Sequence, residues 1–371
     1  MRPFTHDALP GRVVFGAGSR DRLPEEVERL GATRVLIVTD PATKPVADEL
    51  AEELGERFGA VFSDVQQHVP IEAVASARAA AGRSGADCVV TVGGGSTTGF
   101  GKAIALESGA STLAIPTTYA GSEMTPIYGI TSDGLKRTGR DVRVLPRTVI
   151  YDPELTVSLP PPVTAASGMN ALAHCVEGLY ARDANPITSL MAEEAIRALA
   201  RGIPAAVRAP ADLEARGEAL YGAYLAGATL AVVGMALHHR ICHVLGGTYG
   251  LQHGDVNSVV LPHVAGFNRP AAPEALARAE RALGAEDVAQ GLFDFAAAVG
   301  APTSLRELGF DEANLGEAAR LALETPVWNP RPVDVSAVRS ILDDAFHGRP
   351  PSSTGAWPEG GDADRQTIGT S

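Results

Sequence analysis

Four of the nine histidines fall within one stretch of the chain, residues 234–254. His239 and His243 are four residues apart, so on a helix they would share one face, separated by about 6 Å of rise. A Gly-Gly pair at 246–247 predicts the end of that helix, and His253 follows just beyond it. Such an array is typical of a metal site or an acid/base site, whereas a buried helix with hydrogen-bonded imidazoles is the structural alternative.

A second set of candidate ligands lies earlier, in a helix predicted over residues 163–183. Asn170, His174 and Glu177 follow the spacing i, i+4, i+7 and therefore share one face of it. This face could meet the histidine stretch and form a divalent-metal site, although an amide oxygen is neutral and a poorer ligand than a carboxylate. The candidate ligands are Asn170, His174, His239 and His253. Glu177 is expected to support a ligand or to lie on the helix surface, and His238 to pack or hydrogen-bond locally.

The elements that would position a nucleotide come first in the chain. Residues 34–40 form an apolar run that predicts a buried parallel strand with Asp40 at its carboxyl end. A carboxylate there can accept both hydroxyls of an adenosine ribose, or it can cap the helix predicted near 45–57. The segment 112–123 is a further strand that ends in a hydroxyl-rich loop, which suits contact with a cofactor or a substrate.

Glycines link another predicted strand directly to a helix. The buried strand over 87–92 runs into the glycine-rich segment 93–102 and then into the helical residues 103–106. Strand, glycine-rich turn and helix together expose bare backbone amides and a helix N-terminus to an anion, as in pyrophosphate sites. A tight turn without a ligand is the alternative. Because Asp40 precedes this segment rather than following it, the layout differs from the usual GxGxxG fingerprint.

Cationic side chains cluster in a predicted hairpin over 128–141, whose turn is an Asp-Gly pair at 133–134. Lys136, Arg137 and Arg140 lie close together in a chain that is otherwise acidic. The hairpin is therefore either a solvated loop or a lid over a polyanionic ligand.

Composition restricts the class of protein. The formal charge of −13 argues against a nucleic-acid partner and against binding to an anionic membrane. The three cysteines, Cys88, Cys175 and Cys242, are isolated, lack CxxC spacing and suit a reducing cytoplasm. No apolar run reaches membrane-spanning length, and the N-terminus lacks an apolar signal core. We therefore expect a soluble, cytoplasmic protein.

The 371 residues are enough for two domains, and the pattern changes from strand-rich to helical after residues 149–153. The predicted division is 1–156 for an α/β dinucleotide-binding domain, 157–350 for an all-helical catalytic domain, and 351–371 for a disordered tail. Besides the helices already described, the second half has predicted helices over 186–202, 211–232, 271–284, 286–299 and 334–347.

These motifs together resemble the iron-containing, or group III, alcohol dehydrogenase superfamily, from Phe15 to about residue 347. The superfamily loop GGGSxxDxxK appears as residues 93–102, with Gly99 in place of the aspartate. The ligand motif DAxxH appears as residues 170–174, with asparagine in place of the first ligand, and the histidine pattern HxxxH followed by HG is intact. Both departures resemble the maleylacetate reductase branch of the superfamily, as do segments 116–123, 138–141, 145–148 and 329–333.

The resemblance implies an α/β N-terminal nucleotide-binding domain plus an all-α C-terminal domain, in the dehydroquinate synthase-like architecture of group III alcohol dehydrogenases. The active site would lie in the cleft between them, the cofactor would be NADH or NADPH, and the protein would be a homodimer. The residues implied to bind the cofactor are Asp40, Gly94, Gly95, Ser96, Thr117, Thr118, Ser122 and Lys136. The positions that would hold iron or zinc are occupied by Asn170, His174, His239 and His253. His243 occupies the position of a non-ligand histidine beside the nicotinamide.

In the maleylacetate reductase branch, the substrate is a small dicarboxylate whose alkene is conjugated to a ketone. Hydride delivery to the carbon β to the ketone would give an enolate, and protonation would give 3-oxoadipate, a step in the breakdown of aromatic compounds. The resemblance makes His243 the expected proton donor, with Tyr119 as the alternative. A metal at His174, His239 and His253, or hydrogen bonds from these imidazoles, would stabilise the oxyanion. The candidates for binding the carboxylates are Lys136, Arg137, Arg140 and Arg331.

Other functions remain open from the sequence. The same fold could serve a metal-dependent alcohol or aldehyde dehydrogenase, although Asn170 and Gly99 count against it. It could also reduce another unsaturated keto acid, or act as a lyase of the dehydroquinate synthase type, for which a lysine-rich phosphate site is not evident. A non-catalytic interaction module is disfavoured by the intact histidine array.

Overall fold

A parallel sheet of six strands forms the centre of the first half of the chain. The structure, a computed structural model, describes residues 4–9, 11–132 and 135–351, except for the side chains of Leu135 and Lys136. In chain order the strands are β1 (Arg12–Phe15), β2 (Val35–Thr39), β3 (Phe58–Phe62), β4 (Cys88–Gly93), β5 (Ser111–Pro116), β6 (Ile127–Ser132), β7 (Leu135–Arg140) and β8 (Thr148–Tyr151). The sheet has the order β1-β8-β5-β4-β2-β3, and every adjacent pair is parallel.

Helices cover both faces of this sheet, and every residue of β2 and β4 is buried. A parallel strand covered on both faces needs an apolar run rather than an alternating pattern, and such runs are what the sequence shows here. The covering helices are α1 (Leu23–Arg29), α2 (Lys44–Leu54), α3 (Ile71–Ser84) and α4 (Gly95–Ser108). Apolar side chains of α1 and α2 form the core on one face, and those of α3 and α4 form the core on the other.

The strands β6 and β7 form a separate antiparallel hairpin, in which Ser132 pairs with Leu135. This pairing confirms the hairpin predicted over 128–141. Its predicted turn at 133–134 lies outside the described residues, as does the predicted tail from residue 352 onward.

The second half of the chain is helical, which confirms the predicted fold class. Its helices are α5 (Pro161–Tyr180), α6 (Pro186–Arg208), α7 (Leu213–Val232), α8 (Leu237–Tyr249), α9 (His253–Asn268), α10 (Pro273–Leu283), α11 (Val288–Ala298), α12 (Leu315–Ala322) and α13 (Val335–His347). Of the described helices, none alone has the length and apolarity of a membrane span. Only α7 and α8 taken together, with a bend of 99° between them, reach that length and composition.

The end of α8 differs from the prediction. The helix continues through the Gly-Gly pair at 246–247 and ends at Gly250, which adopts a left-handed conformation with φ 71°. The prediction of a stop at 246–247 was wrong, because a glycine inside a helix costs only about 1 kcal/mol relative to alanine. The buried side chains of Val244 and Leu245 pack in the core and offset that cost.

Two helices, α9 and α12, were not predicted. In α9 every residue from Val256 to Asn268 is buried, so its sequence lacks the polar face that gives a helix its 3.6-residue period. Pro262 inside it is also a helix-breaking signal. Because α9 is buried on all sides, its sequence lacks the alternation of polar and apolar residues from which a helix could have been predicted.

The two halves share one apolar core. Ala114, Tyr119, Val149 and Tyr151 from the strand-rich half belong to the same buried cluster as the side chains of α5, α6 and α7. Gly121 and Gly227 also meet closely, since a Cβ added to Gly227 would lie 2.7 Å from the carbonyl oxygen of Gly121. This close packing fixes the loop after β5 against α7.

Candidate active site

The carboxyl ends of β2, β4 and β5 lie side by side and form a shared edge. A Cβ added to Gly93, at the end of β4, would lie 2.4 Å from Thr97 Oγ1 and 2.9 Å from Asp40 Oδ2. Gly93 also has φ 152°, so glycine is required both by its conformation and by the space. A Cβ on the next residue, Gly94, would lie 3.1 Å from the Thr118 side chain. The predicted cofactor residues from three strands therefore come together.

Asp40 lies at the end of β2 and uses its two carboxylate oxygens differently. Its Oδ1 accepts hydrogen bonds from the backbone N–H groups of Ala42 at 2.9 Å and Thr43 at 3.0 Å, in the turn just before α2. Its Oδ2 accepts one from Thr97 Oγ1 at 3.4 Å, a distance that leaves this oxygen available to a stronger donor. One oxygen is therefore structural and the other faces the shared edge.

The N-terminus of α4 presents bare backbone amides at this edge. The helix begins at Gly95, and the preceding Gly94 provides no side-chain cap. The prediction that the glycine-rich loop extends to Lys102 was wrong, because only two glycines precede the helix. Gly101 lets the helix lie directly on the sheet, since a Cβ there would lie 2.2 Å from Thr91 Cγ2. A helix N-terminus without a cap favours an anion such as a pyrophosphate.

Gly99 stands where the resembling superfamily has an aspartate, and the structure leaves little room for a side chain there. A Cβ on Gly99 would lie 2.8 Å from Val69 Cγ2. Val69 itself has φ 56°, a left-handed conformation that is strained for a β-branched residue. Glycine at position 99 therefore leaves the space that the Val69 side chain occupies.

Lys102 was not assigned a role from the sequence, and it is buried. Its Nζ donates to the carbonyl oxygens of Ser122 at 2.6 Å and Ile127 at 2.7 Å, and to Thr125 Oγ1 at 3.0 Å. Burial lowers the pKa of this amine to about 7. The lysine ties α4 to the loop that follows β5. The sequence signal for this role was the lysine that ends the motif GGGSxxDxxK, in a helix with no other cationic residue.

The candidate histidines form one continuous group of rings. His174 on α5 stacks on His239 of α8, with 5.0 Å between ring centroids. His239 lies 6.2 Å from His243 one turn later, and His243 lies 6.0 Å from His253 at the start of α9. A Cβ on Gly121, in the loop after β5, would lie 3.7 Å from His174 Nδ1. The structure thus brings the histidines together beside the loop that carries Thr117 and Thr118.

Three buried polar atoms beside these rings lack a hydrogen-bond partner among the described residues. They are Asn170 Oδ1, His174 Nδ1 and His239 Nε2. Burial lowers the pKa of His174 well below its usual range and that of His239 to about 3, so both imidazoles are neutral near pH 7. Buried polar atoms are normally satisfied, and neutral imidazoles with an amide oxygen are electron-pair donors. These donor types are ones that a divalent cation such as iron or zinc accepts as ligands.

Glu177, on the same helix as His174, is wholly buried, so its expected alternative position on the helix surface is excluded. Its Oε2 lies 2.7 Å from His239 Nδ1 and accepts from the backbone N–H of Ala236 at 3.1 Å. Its Oε1 accepts from the backbone N–H of His238 at 2.8 Å. Burial raises the pKa of this carboxyl, and the neighbouring His238 and the N–H donors oppose that rise. Glu177 therefore supports the candidate ligand His239.

Glu177, His238 and His239 each place one ligand atom within 4.8 Å of the others, which is close enough for a shared metal. Their hydrogen bonds argue against that use, since both Glu177 oxygens already accept from N–H groups. His238 Nε2 also lies 3.4 Å from the carbonyl oxygen of Asn257. These three residues are a hydrogen-bonded support for the site, and the expected local bonding of His238 is confirmed.

Tyr119 is buried, and its hydroxyl accepts a hydrogen bond from Arg216 Nη1 at 3.1 Å. Arg216, which the sequence did not single out, is also wholly buried and donates to Thr164 Oγ1 and to the carbonyl oxygens of Pro210 and Leu159. A buried guanidinium held only by neutral acceptors is uncommon. Here it joins the loop after β5 to α5 and α7.

The candidate cations differ in their surroundings. Arg331 donates to the carbonyl oxygen of Phe267 at 3.0 Å and lies over that ring at 4.4 Å. Arg140 donates to the carbonyl oxygen of Ala231. Arg137 is exposed and has no partner within the described part of the chain. The side chain of Lys136 lies outside the described residues.

Two family models match this chain. The model of iron-containing alcohol dehydrogenase matches residues 10–153, and that of the C-terminal part of the Fe-containing alcohol dehydrogenase family matches residues 164–346. The chain belongs to the iron-containing alcohol dehydrogenase family. Membership confirms the resemblance inferred from the glycine-rich and histidine motifs, and with it the two-part α/β and all-α fold class.

Within this family the chain is similar to maleylacetate reductases along almost its whole length. It is 51% identical to the maleylacetate reductase of Burkholderia cepacia over 352 residues, which are 95% of this chain and 100% of that protein. It is 49% identical to that of Sphingobium indicum, over 94% of this chain and 99% of that protein. The crystal structure of the maleylacetate reductase from Agrobacterium tumefaciens is 48% identical and matches with a TM-score of 0.92, covering 95% of this chain and 100% of that one.

Proposed function

We propose that this chain uses NADH or NADPH to reduce the conjugated double bond of maleylacetate, giving 3-oxoadipate. The observation that carries the proposal is the cluster of imidazoles around His239, set beside the loop that follows the cofactor edge. The similarity to curated maleylacetate reductases over nearly their full length supports this choice of substrate.

The chain would bind the cofactor along the shared strand edge. The bare amides at the start of α4 suit its pyrophosphate, and Asp40 Oδ2 suits the ribose hydroxyls and disfavours a 2′-phosphate. When bound, the nicotinamide supplies the hydride. We assign the remaining contacts to the motif residues Gly94, Gly95, Ser96, Thr117, Thr118, Ser122 and Lys136.

A metal would bind beside the unpartnered donor atoms on α5 and α8. Iron or zinc there would supply positive charge that stabilises the oxyanion of the enolate. Asn170 Oδ1, His174 Nδ1 and His239 Nε2 are buried without partners, which supports a cation at this place. We assign the ligands to Asn170, His174, His239 and His253.

We assign the proton that completes the reduction to His243. It lies one turn beyond His239 on α8, and its ring stacks on that of His253. Tyr119, the alternative donor, is buried with its hydroxyl engaged by Arg216, which favours the histidine. For the substrate carboxylates, the exposed and unpartnered guanidinium of Arg137 is a better candidate than Arg140 or Arg331, whose guanidinium groups bond to backbone carbonyls.

The test is the oxidation of NADH in the presence of maleylacetate, followed by absorbance. We expect turnover by the wild type and a loss of roughly 10²- to 10⁴-fold in kcat for His243→Ala, with little change in the KM for NADH. His347→Ala is the control, because that histidine is on α13 and bonds to the backbone of Asp343. An unchanged kcat in His243→Ala would remove the assigned donor, and no turnover by the wild type would remove the proposed reaction.

A metal-dependent alcohol dehydrogenase is the second candidate, because the unpartnered donor atoms fit a cation and the family model is that of alcohol dehydrogenases. Assays of small alcohols with NAD⁺ distinguish the two functions. A reductase acting on another unsaturated keto acid would be found by replacing maleylacetate with related 4-oxo-2-enedioates. In each case, the substrate with the highest kcat/KM identifies which of these functions the protein has.

Three further assignments complete the proposal. We propose a cytoplasmic enzyme, supported by the cysteines Cys88, Cys175 and Cys242, which are all free and buried. We propose a homodimer, supported by the free edge of β1, where the Phe15 side chain is 43% exposed. We also propose the domain division 1–156 and 157–350. Light scattering on a sizing column tests the dimer, and limited proteolysis tests the division.

A further inference from the structure

The N-terminus of α8 is capped by a side chain from another helix. Ala236, which precedes α8, provides no side-chain cap of its own. Glu177, on α5, accepts instead from the backbone N–H groups of Ala236 at 3.1 Å, His238 at 2.8 Å and His239 at 3.4 Å. A carboxylate at this position satisfies donors that the helix cannot, and it interacts favourably with the helix dipole.

The same carboxylate determines which nitrogen of His239 carries its proton. Glu177 Oε2 lies 2.7 Å from His239 Nδ1. Both Glu177 oxygens already accept hydrogen bonds from backbone N–H groups, so Oε2 is an acceptor towards the ring as well, and Nδ1 carries the proton that is donated to it. Nε2 is then left with its lone pair, and this is the atom that is buried beside His174 without a partner.

His238 independently agrees with this assignment. Its Nε2 lies 3.4 Å from the carbonyl oxygen of Asn257, which can only accept, and 3.4 Å from Cys242 Sγ, so a proton on Nε2 serves the carbonyl oxygen, the stronger of the two acceptors. Its Nδ1 is then an acceptor, and it lies 3.3 Å from His239 Nδ1. If both Nδ1 atoms carried a hydrogen, the two N–H groups would face each other and repel, so only one of these rings is protonated at Nδ1. The Asn257 carbonyl and the Glu177 carboxylate therefore fix the same pattern of protons from opposite ends.

We propose that Glu177 is a positioning residue that holds His239 in the Nδ1–H tautomer, with the Nε2 lone pair directed into the active site, and holds the start of α8. One consequence is that His239 cannot donate a hydrogen bond to an enolate oxygen. The imidazoles could stabilise an oxyanion either by donating hydrogen bonds to it or by holding a metal. For His239 the first is excluded, whereas its Nε2 lone pair suits a cation. The tautomer is independent of the substrate, whereas the kinetic effect rests on the proposed function.

The tautomer is measured directly by nitrogen NMR of the full-length protein labelled with ¹⁵N-histidine. Protonated and unprotonated ring nitrogens have well-separated shifts, and the His239 signals are assigned by their loss in His239→Asn. We expect a protonated Nδ1 and an unprotonated Nε2 in the wild type. A protonated Nε2 would overturn the proposal.

The positioning role is tested with Glu177→Gln, which keeps the shape but turns one acceptor into a donor facing N–H groups. We expect kcat to fall about 10- to 100-fold, the KM for NADH to stay within about twofold, and the single His239 tautomer to become a mixture. Glu26→Gln is the matched control, because Glu26 is equally buried but bonds to Arg12 and Arg29 at the far end of the sheet. It should leave kcat and the tautomer unchanged.

An unchanged kcat and tautomer in Glu177→Gln would overturn the positioning role. Equal losses of kcat in Glu177→Gln and Glu26→Gln would overturn it as well, since they would reflect a general loss of stability. Failure of the proposed function gives a different result, because a wild type that does not reduce maleylacetate can still show the Nδ1–H tautomer.

Discussion

A single atom distinguishes Asn170 from the aspartate of the resembling ligand motif. Its Oδ1 is buried without a partner, while its Nδ2 donates to the carbonyl oxygen of Ala120 at 3.4 Å. An aspartate would direct a negative charge towards His174 and His239 but would set a second oxygen against that carbonyl. If the proposed metal site exists, we expect the asparagine to weaken metal binding and to stabilise the metal-free protein.

Asn170→Asp should tighten Zn²⁺ binding by roughly 10- to 100-fold, because a charged ligand replaces a neutral one. The metal-free variant should unfold at a lower temperature than the wild type, and Zn²⁺ should restore the difference. Calorimetric titration and thermal unfolding measure the two effects. Asn268→Asp is the control, because Asn268 is also buried and loses its bond to Asn329 Oδ1, with no gain in Zn²⁺ affinity. Equal Zn²⁺ affinities of the wild type and Asn170→Asp would contradict the assigned ligand.

At the scale of elements, the junction between β4 and α4 sets the cofactor edge. Gly93 fits between Asp40 and Thr97, and Gly94 lies against Thr118. The glycine-rich motif alone predicts a backbone without side chains, but it does not predict either of these contacts. The structure adds that the strand ends are packed so closely that a side chain at Gly93 or Gly94 would meet its neighbours.

Gly93→Ala should distort this junction, since its Cβ would lie 2.4 Å from Thr97 Oγ1 and the residue has φ 152°. We expect a loss of about 1–3 kcal/mol in the free energy of unfolding and a rise of about tenfold or more in the KM for NADH. Urea unfolding and initial rates measure these changes. Gly82→Ala is the control, because nothing lies within 4 Å of its added Cβ in α3. A KM that is unchanged in Gly93→Ala would show that the edge does not bind the cofactor.

At the scale of the whole molecule, stability depends on imidazoles that are buried in the neutral form. His263, on α9, is wholly buried, and neither ring nitrogen has a partner among the described residues. Burial lowers its pKa to about 4. The unfolded chain, with an ordinary histidine pKa of about 6.5, binds more protons between these values. The stabilisation is therefore complete above pH 6.5 and is lost as the pH falls towards 4.

His263→Leu should weaken this acid sensitivity. Between pH 7.5 and pH 5.5, the wild type should lose about 1.4 kcal/mol more of its free energy of unfolding than the variant. Urea unfolding at both pH values gives the difference. Phe293→Leu is the control, because it changes the ring packed against His263 without removing a titratable group. Equal losses in the wild type and His263→Leu would show that folding does not lower the pKa of His263.

Much of the fold could be predicted because its signals are local. The apolar runs at β2 and β4 and the Asp-Gly hairpin each depend on residues close together in the chain. The ends of elements were less predictable. The glycines at 246–247 and in 93–102 lie largely within helices, since packing against neighbours offset their weak helix propensity.

The sequence by itself determined the family, most of the strands and helices, and the histidines, asparagine and glycines that form the candidate site. These follow from residue types at fixed spacing. Only the tertiary structure decided how the site is supported. Glu177 is 62 residues from His239, and Tyr119 is 97 residues from Arg216. No local pattern specifies such pairs, because burial removes their charges and hydroxyls from water, and each is stabilised only by the partner that the folded chain brings to it.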